Sequence, residues 1–219
     1  MRNRSYSTQA IILKRFNYGE ADRILTLFTD KHGKITVIAK GVRKPQSRKR
    51  GHVELFNHIK AYIVNGKSLG ILTEAETIHN FGNHLSAIPL LDKGRPGGVT
   101  FKNTNKQLTT DNRQLITIFA AYQFAELIDR LVPENQPHPE IFTLLQKSLN
   151  SLTTACLVSN DTGDNLQLTT LNSYFKHRLI RHLGFWPSDR TTPIDIDLLI
   201  DQILEKPLKT SSFYDKINL

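Results

Sequence analysis

Between Tyr6 and Thr77 the chain carries five short runs rich in β-branched and aromatic residues, each bounded by turn signals. Strands this short, left in an open sheet, would expose unpaired edges. The runs are Tyr6 to Arg15 (YSTQAIILKR), Ile24 to Thr29, Lys34 to Gly41, His52 to Val64 and Ser68 to Thr77. Gly19 supplies the first turn, Gly33 the second and Asn65-Gly66 the last. The first three runs read as a meander, and closure of all five into a small barrel removes the edges. Five mostly antiparallel strands suit an oligonucleotide-binding (OB) fold; an SH3-like barrel has a comparable strand inventory.

The charge is concentrated in the same region. Lys31 to Arg50 holds eight Lys or Arg and no Asp or Glu. Residues 1–60 carry fourteen basic and four acidic side chains, whereas residues 61–219 carry fifteen and sixteen, so the net charge of +9 belongs to the barrel. A segregated field of this kind points at a polyanion, against the plainer reading of a solvated basic loop. The cations fall in VRKPQSRKRGH, where Pro45 and Gly51 discourage regular structure.

At 219 residues the chain has enough apolar content for one or two domains. The lone Cys156 excludes an internal disulfide and a Cys-rich zinc site. MRNRSYSTQ lacks the apolar run of a signal peptide, and no 18-residue apolar span occurs. The expectation is a cytoplasmic protein with no membrane partner.

From Pro89 to Asp111 the composition becomes rich in Gly, Asn and Thr, and beyond it the pattern is helical. Asp111 or Asn112 is the expected cap of a helix placing Leu115, Ile118, Phe119 and Tyr122 on one face, stopped by Pro133. Further helices are expected over PEIFTLLQKSLNSL, over about Leu166 to Leu183 before Gly184, and within PIDIDLLIDQILEK. The fold class expected is α+β: a five-stranded OB barrel over residues 1–80, a connecting segment over 81–112 and an all-helical domain over 113–219.

Three stretches carry a family resemblance: AIILKRFNYGEADRILTLFTDKHGKITVIAKGVRKPQS, FAAYQFAELIDRLVPENQPHPEIFTLLQKSLNSL, and FKHRLIRHLGFWP with ILEKPLKTSS. The order G-E-A-D-R, T-x-x-H-G-K, A-K-G-V-R-x-x-x-S is too long for a chance motif. The chain resembles the RecO family of bacterial DNA repair and recombination mediators. That resemblance implies a non-enzymatic, nucleoid-associated protein that binds single- and double-stranded DNA, anneals complementary strands and assists recombinase loading. It implies two protein partners, RecR and the acidic, apolar C-terminal tail of single-strand-binding protein. Many members carry a four-cysteine zinc module after the phrase matching GFWP. Here SDRTTPIDID has no cysteine, so no metal is expected, and the segment around Gly94 to Thr110 is longer than the family's connection.

The candidate DNA-binding residues are Lys40, Arg43, Lys44, Arg48, Lys49 and Arg50, joined by Lys34 and Arg23. They would neutralise phosphates and release counterions, with little sequence preference. Tyr18, Phe28, Phe56 and Tyr62 are nearby aromatics that either stack on bases or fill the core. On the helix resembling the family's AAYxxAELxxRL phrase, Tyr122 and Arg130 are candidates for the single-strand-binding-protein tail; the alternative is a core tyrosine and a surface charge.

No cofactor or catalytic residue is expected. Glu20 and Asp22 lack a third acidic ligand and read as turn caps or ion-pair partners. His79 with His84, and His177 with His182, are spaced five apart and do not share a helical face. Ser47 reads as a turn or phosphate contact, and Lys14 and Arg15 either extend the basic face or edge a strand. GRPGG precedes no Lys-Ser or Lys-Thr, which argues against a phosphate-cradling nucleotide enzyme. A barrel that binds RNA shares the same phosphate chemistry and is the alternative function.

Overall fold

A computed structural model describes residues 4–81, 108–158, 164–186, 195–205 and 207–210. Five strands, β1 (Ser5–Tyr18), β2 (Asp22–Thr29), β3 (Gly33–Ala39), β4 (Asn57–Val64) and β5 (Gly70–Asn80), close into a barrel in the order β1-β2-β3-β5-β4. All pairings are antiparallel except β3 with β5, which run parallel through Val37↔Gly70 and Ile38↔Ile71. The inward-facing alternation of Leu25 and Leu27 with Ile35, Val37, Ile59, Ala61, Ile63 and Leu72 makes an apolar barrel core. Gly70 sits where the barrel closes. A Cβ there would lie 3.0 Å from the side chain of Ile63 and 3.1 Å from that of Val37.

Strand boundaries differ from the sequence reading, by three residues or more at β1, β4 and β5, the last of which continues to Asn80. β1 runs on through Tyr18, because β2 pairs with it as far as Tyr18↔Asp22. The fourth strand starts at Asn57 rather than His52: Asn57 Nδ2 donates to the carbonyls of Gly51 and His52, and Phe56 adopts φ 62°, so the preceding residues turn. The fourth and fifth strands are joined by residues 65–69 rather than by a two-residue hairpin at Asn65-Gly66.

Four helices follow: α1 (Leu108–Leu131), α2 (Pro139–Val158), α3 (Asp164–His182) and α4 (Ile196–Leu204). α1 begins before the expected cap at Asp111 or Asn112 and takes both into its first turns. The remainder of the Gly-, Asn- and Thr-rich segment, residues 89–107, lies outside the described residues, as do His84 and residues 188–194 of the SDRTTPI stretch. Pro139 opens α2, where a missing N–H costs nothing. α3 ends with Gly184 at φ 76° and Phe185 N–H donating to the Ile180 carbonyl, the 6→1 bond of a Schellman stop. At α4, Asp195 caps the amides of Asp197 and Leu198.

The helices pack on one outer part of the barrel. Ile11, Leu13, Phe28 and Phe56 point away from the barrel core and join the cluster formed by Phe124, Leu127, Ile128, Phe142 and Leu145. Phe28 meets Phe142 at 6.1 Å between ring centroids and Phe56 meets Tyr122 edge-on at 5.0 Å. Burying each such side chain contributes about 1.5–3 kcal/mol. The half-exposed ion pair of Lys14 with Asp129 contributes about 0–1 kcal/mol, so apolar burial holds the two parts together.

The connection between α1 and α2 lies directly on β3. Asn135 N–H donates to the Lys34 carbonyl at 2.9 Å, and a Cβ on Gly33 would sit 1.9 Å from the Gln136 carbonyl oxygen. Gly33, at φ 69°, is therefore required both for its backbone angle and for this approach. His58, 1% exposed, lies in the same seam with Gln9 Oε1 at 2.9 Å from Nε2 and Gln146 Nε2 at 3.4 Å from Nδ1. These partners suit a neutral imidazole. Burial, with the neighbouring His79, pulls its pKa down to about 4, against a smaller opposing pull from Asp30.

Two outcomes are expected. Gly33→Ala lowers stability in urea unfolding by at least about 1 kcal/mol more than Gly19→Ala, because both strain a left-handed backbone but only Gly33 meets other atoms. For His58, the unfolded chain binds a proton below about pH 6.5 that the folded chain refuses until about pH 4. Its contribution is therefore intact above pH 6.5 and is lost at about 1.4 kcal/mol per pH unit as pH falls through that window. Urea midpoints from pH 7 to 5 should show this component in the wild type and its absence in His58→Gln.

Candidate nucleic-acid interface

The basic segment after β3 is an ordered run of turns. Amides of Lys44, Ser47, Arg50 and His52 donate to the carbonyls of Gly41, Lys44, Ser47 and Lys49 respectively, each three residues back. Val42 and Val53, both fully buried, insert into the barrel core beneath it. Gly41, Pro45 and Gly51 permit this path, and the side chains of Arg43, Lys44, Arg48 and Arg50 are left exposed.

Both ends and the middle of the run are tied to the barrel. Asp22 Oδ1 accepts from Gly41 N–H at 2.7 Å, Arg43 N–H donates to the Ala21 carbonyl at 2.9 Å, and Arg43 Nη1 donates to the Gly19 carbonyl at 3.0 Å. Asp22 thus has the turn-capping role its sequence context pointed to. Glu54 is bound by Arg15 and, at 3.0 Å, by Arg23. On the far side Lys49 Nζ donates to the Leu72 carbonyl at 3.0 Å, and His52 Nδ1 lies 2.8 Å from Thr77 Oγ1.

The eight candidate cations separate accordingly. Lys40, Arg43, Lys44, Arg48 and Arg50 are exposed and grouped on the run of turns or at its start. Among the described residues, the side chains of Lys44, Arg48 and Arg50 have no hydrogen bond or ion pair with protein. The other three are engaged elsewhere. Lys34 is buried beneath the helices, where its amine donates to the Asp129 carbonyl; burial lowers its pKa despite the opposing pull of Asp129 and Glu134. Arg23 faces Glu54 and Asn17. Lys49 is half-buried with a lowered pKa of the same first cause, and its amine serves the loop. Lys34 is a candidate by charge alone, and the docked helix covers it.

The aromatics divide in the same way. Phe28, on β2, and Phe56, in the turn before β4, are both core. Tyr62 is half-buried beside an open trough of about 360 Å³, with Lys60 Nζ 5.5 Å above its ring. Tyr18 is 55% exposed, and Phe16, which was not among the candidates, is 60% exposed. The register explains Phe16. It pairs with Ile24, Ile24 with Ile38, and Ile38 with Ile71, so one outward row crosses four strands beyond the reach of the helices. A polar setting, KRFNYGE, in which two aromatics alternate beside a turn, is the sequence signal that marks them.

Tyr122 and Arg130 are not brought into one open pocket. Tyr122 faces Phe56, whereas Arg130 lies near Glu126 (3.7 Å) and donates to the Pro207 carbonyl at 3.0 Å. Glu126 accepts from the amides of Lys209 and Thr210, and Leu208 is buried in the helical cluster. His177 packs against Trp186 and His182 bonds Glu140, so these histidines serve separate contacts. Among the described residues, no group of three or more His, Cys, Asp or Glu is arranged to hold a metal ion, and no helix is long and apolar enough to cross a membrane.

Comparison with known proteins agrees with this architecture. The family model for the recombination protein O N terminus matches residues 1–81, and that for its C terminus matches residues 112–188. Proteins named DNA repair protein RecO are similar over most of the chain: the one from Roseiflexus sp. (strain RS-1) is 34% identical over 187 residues, and that from Heliobacterium modesticaldum is 33% identical over 184. These alignments cover 85% and 84% of this chain but 53% of each relative, so the chain spans about half the length of the curated relatives it matches. With its five-stranded OB barrel and the helices that follow, the chain belongs to the RecO family.

Proposed function

We propose that this protein binds DNA in repair and recombination, holding strands through the exposed cations of the run of turns after β3. The observation that carries the reading is the backbone-tied array of Lys40, Arg43, Lys44, Arg48 and Arg50 on one side of an OB barrel. Cations at fixed positions replace the counterions condensed on a phosphate chain, and their release drives binding without reading sequence. Contacts confined to phosphates leave base edges free, and neutralising two strands lowers their mutual repulsion, which is the physical requirement for annealing. The reading assigns no catalytic residue.

The proposal extends to help with recombinase loading and to RecR and the tail of single-strand-binding protein as partners, on the strength of family membership. Of the two tail candidates, Tyr122 packs against Phe56, and Arg130 carries the charge that suits a carboxylate. A peptide reaching it would compete with Pro207 to Thr210 for the same groups.

Strand annealing and DNA binding measured across a salt series test the reading, comparing wild type with Lys44→Ala/Arg48→Ala/Arg50→Ala. The variant is expected to bind more weakly, with the slope of log affinity against log salt reduced by about 1 for each phosphate no longer neutralised. Equal annealing with an unchanged slope would remove the basic array as the DNA surface. Stronger competition by matched single-stranded RNA than by DNA would favour the RNA-binding alternative, and metal-dependent strand cleavage would move the protein to a nuclease class.

A further inference from the structure

We infer that Phe16 and Tyr18 form a base-stacking platform, so that the protein recognises unpaired nucleotides and not merely phosphate charge. The inference deepens the DNA-binding reading above and rests on it. Phe16 is 60% exposed and Tyr18 55% exposed. Large aromatic side chains on a barrel strand normally find cover, and these two do not receive it from the helices, which pack on the rows containing Ile11, Phe28 and Lys34. Two residues apart on β1, they share a face and stand about 6.8 Å apart along the strand. That is about twice the 3.4 Å rise per nucleotide of a stacked strand, enough for one base between the rings.

The row beside them continues the surface. Ile24, Ile38 and Ile71, each half-buried, extend from Phe16 across β2, β3 and β5. The exposed cations lie along the same margin. Lys40 directly follows β3, and Arg43 reaches the Gly19 carbonyl immediately after Tyr18. An apolar, aromatic band edged by cations complements a single strand, whose bases are apolar on their faces and whose phosphates are anionic. A duplex, with its bases already stacked on one another, offers this band nothing, whereas its phosphates still meet the cations.

The experiment is fluorescence anisotropy with the full chain on a labelled oligothymidylate, an abasic strand of equal length and a matched duplex. Phe16→Ala/Tyr18→Ala is compared with wild type and with the Lys44/Arg48/Arg50 alanine variant. Both aromatics are exposed, and circular dichroism with urea unfolding checks that the pair variant is folded. Phe16→Trp/Tyr18→Trp serves as the conservative control. The aromatic pair variant should lose tenfold or more in affinity for the oligothymidylate while keeping its salt slope and its duplex affinity. Wild type should bind the abasic strand about as weakly as that variant binds the normal one, and the tryptophan variant should restore binding. An oligothymidylate affinity within twofold of wild type, in a protein that binds DNA, overturns the platform and leaves the DNA-binding reading standing. A wild type that binds neither strand nor duplex overturns both. A dimer in sedimentation that the alanine pair dissociates, with strand affinity unchanged, assigns the band to self-association and also overturns the platform.

Discussion

Closure of the barrel through β3 and β5 is the constraint on which the remaining structure depends. Only Val37↔Gly70 and Ile38↔Ile71 form this seam, and it is parallel, so the chain must cross the barrel between β3 and β4 before β5 can arrive. The basic run of turns is that crossing. Its valines are buried in the barrel core, so the segment that carries the charge is also part of the core packing. Gly70 lets the two strands approach, since a side chain there would press on Ile63 and Val37.

Closure also gives the outside of the barrel two different surfaces. Phe28 and Lys34 lie under α1 and α2, whereas Ile24 and Ile38, four residues away on the same strands, lie beyond them. One lysine becomes a buried donor to a helix carbonyl and another, Lys40, remains in solvent. The outer face of β3 thus changes along its length from covered by the helices to open.

Much of this was legible in the residues. Alternation located the strands, the segregation of charge located the exposed cations, and helix punctuation at Pro133, Pro139 and Gly184 corresponds to structural boundaries. What depended on tertiary contact was not legible. His52 to Phe56 alternates like a strand, but Asn57 holds it in turns through two carbonyls. Lys34 and Arg23 carry charge indistinguishable in sequence from that of Lys40, yet an α1 carbonyl engages the first and Glu54 the second. Phe16 was hidden for the opposite reason: composition predicts burial for phenylalanine, and only the limited extent of the helices leaves it uncovered.

Within the run of turns the local ladder is made by backbone groups. Lys44, Ser47, Arg50 and His52 contribute amides, and the next partners in the ladder are carbonyls. At positions 44, 48 and 50 shape and charge are therefore specified by different atoms, whereas the side chains of Arg43 and Lys49 also tie the loop to the barrel. Arginine could replace lysine at position 44, or lysine replace arginine at position 48, without a change of fold, and the array could drift in composition while keeping its field. If the proposed DNA contact is made here, the hydrogen-bonded main chain of the loop needs little further ordering, so the conformational entropy lost would be that of the side chains alone.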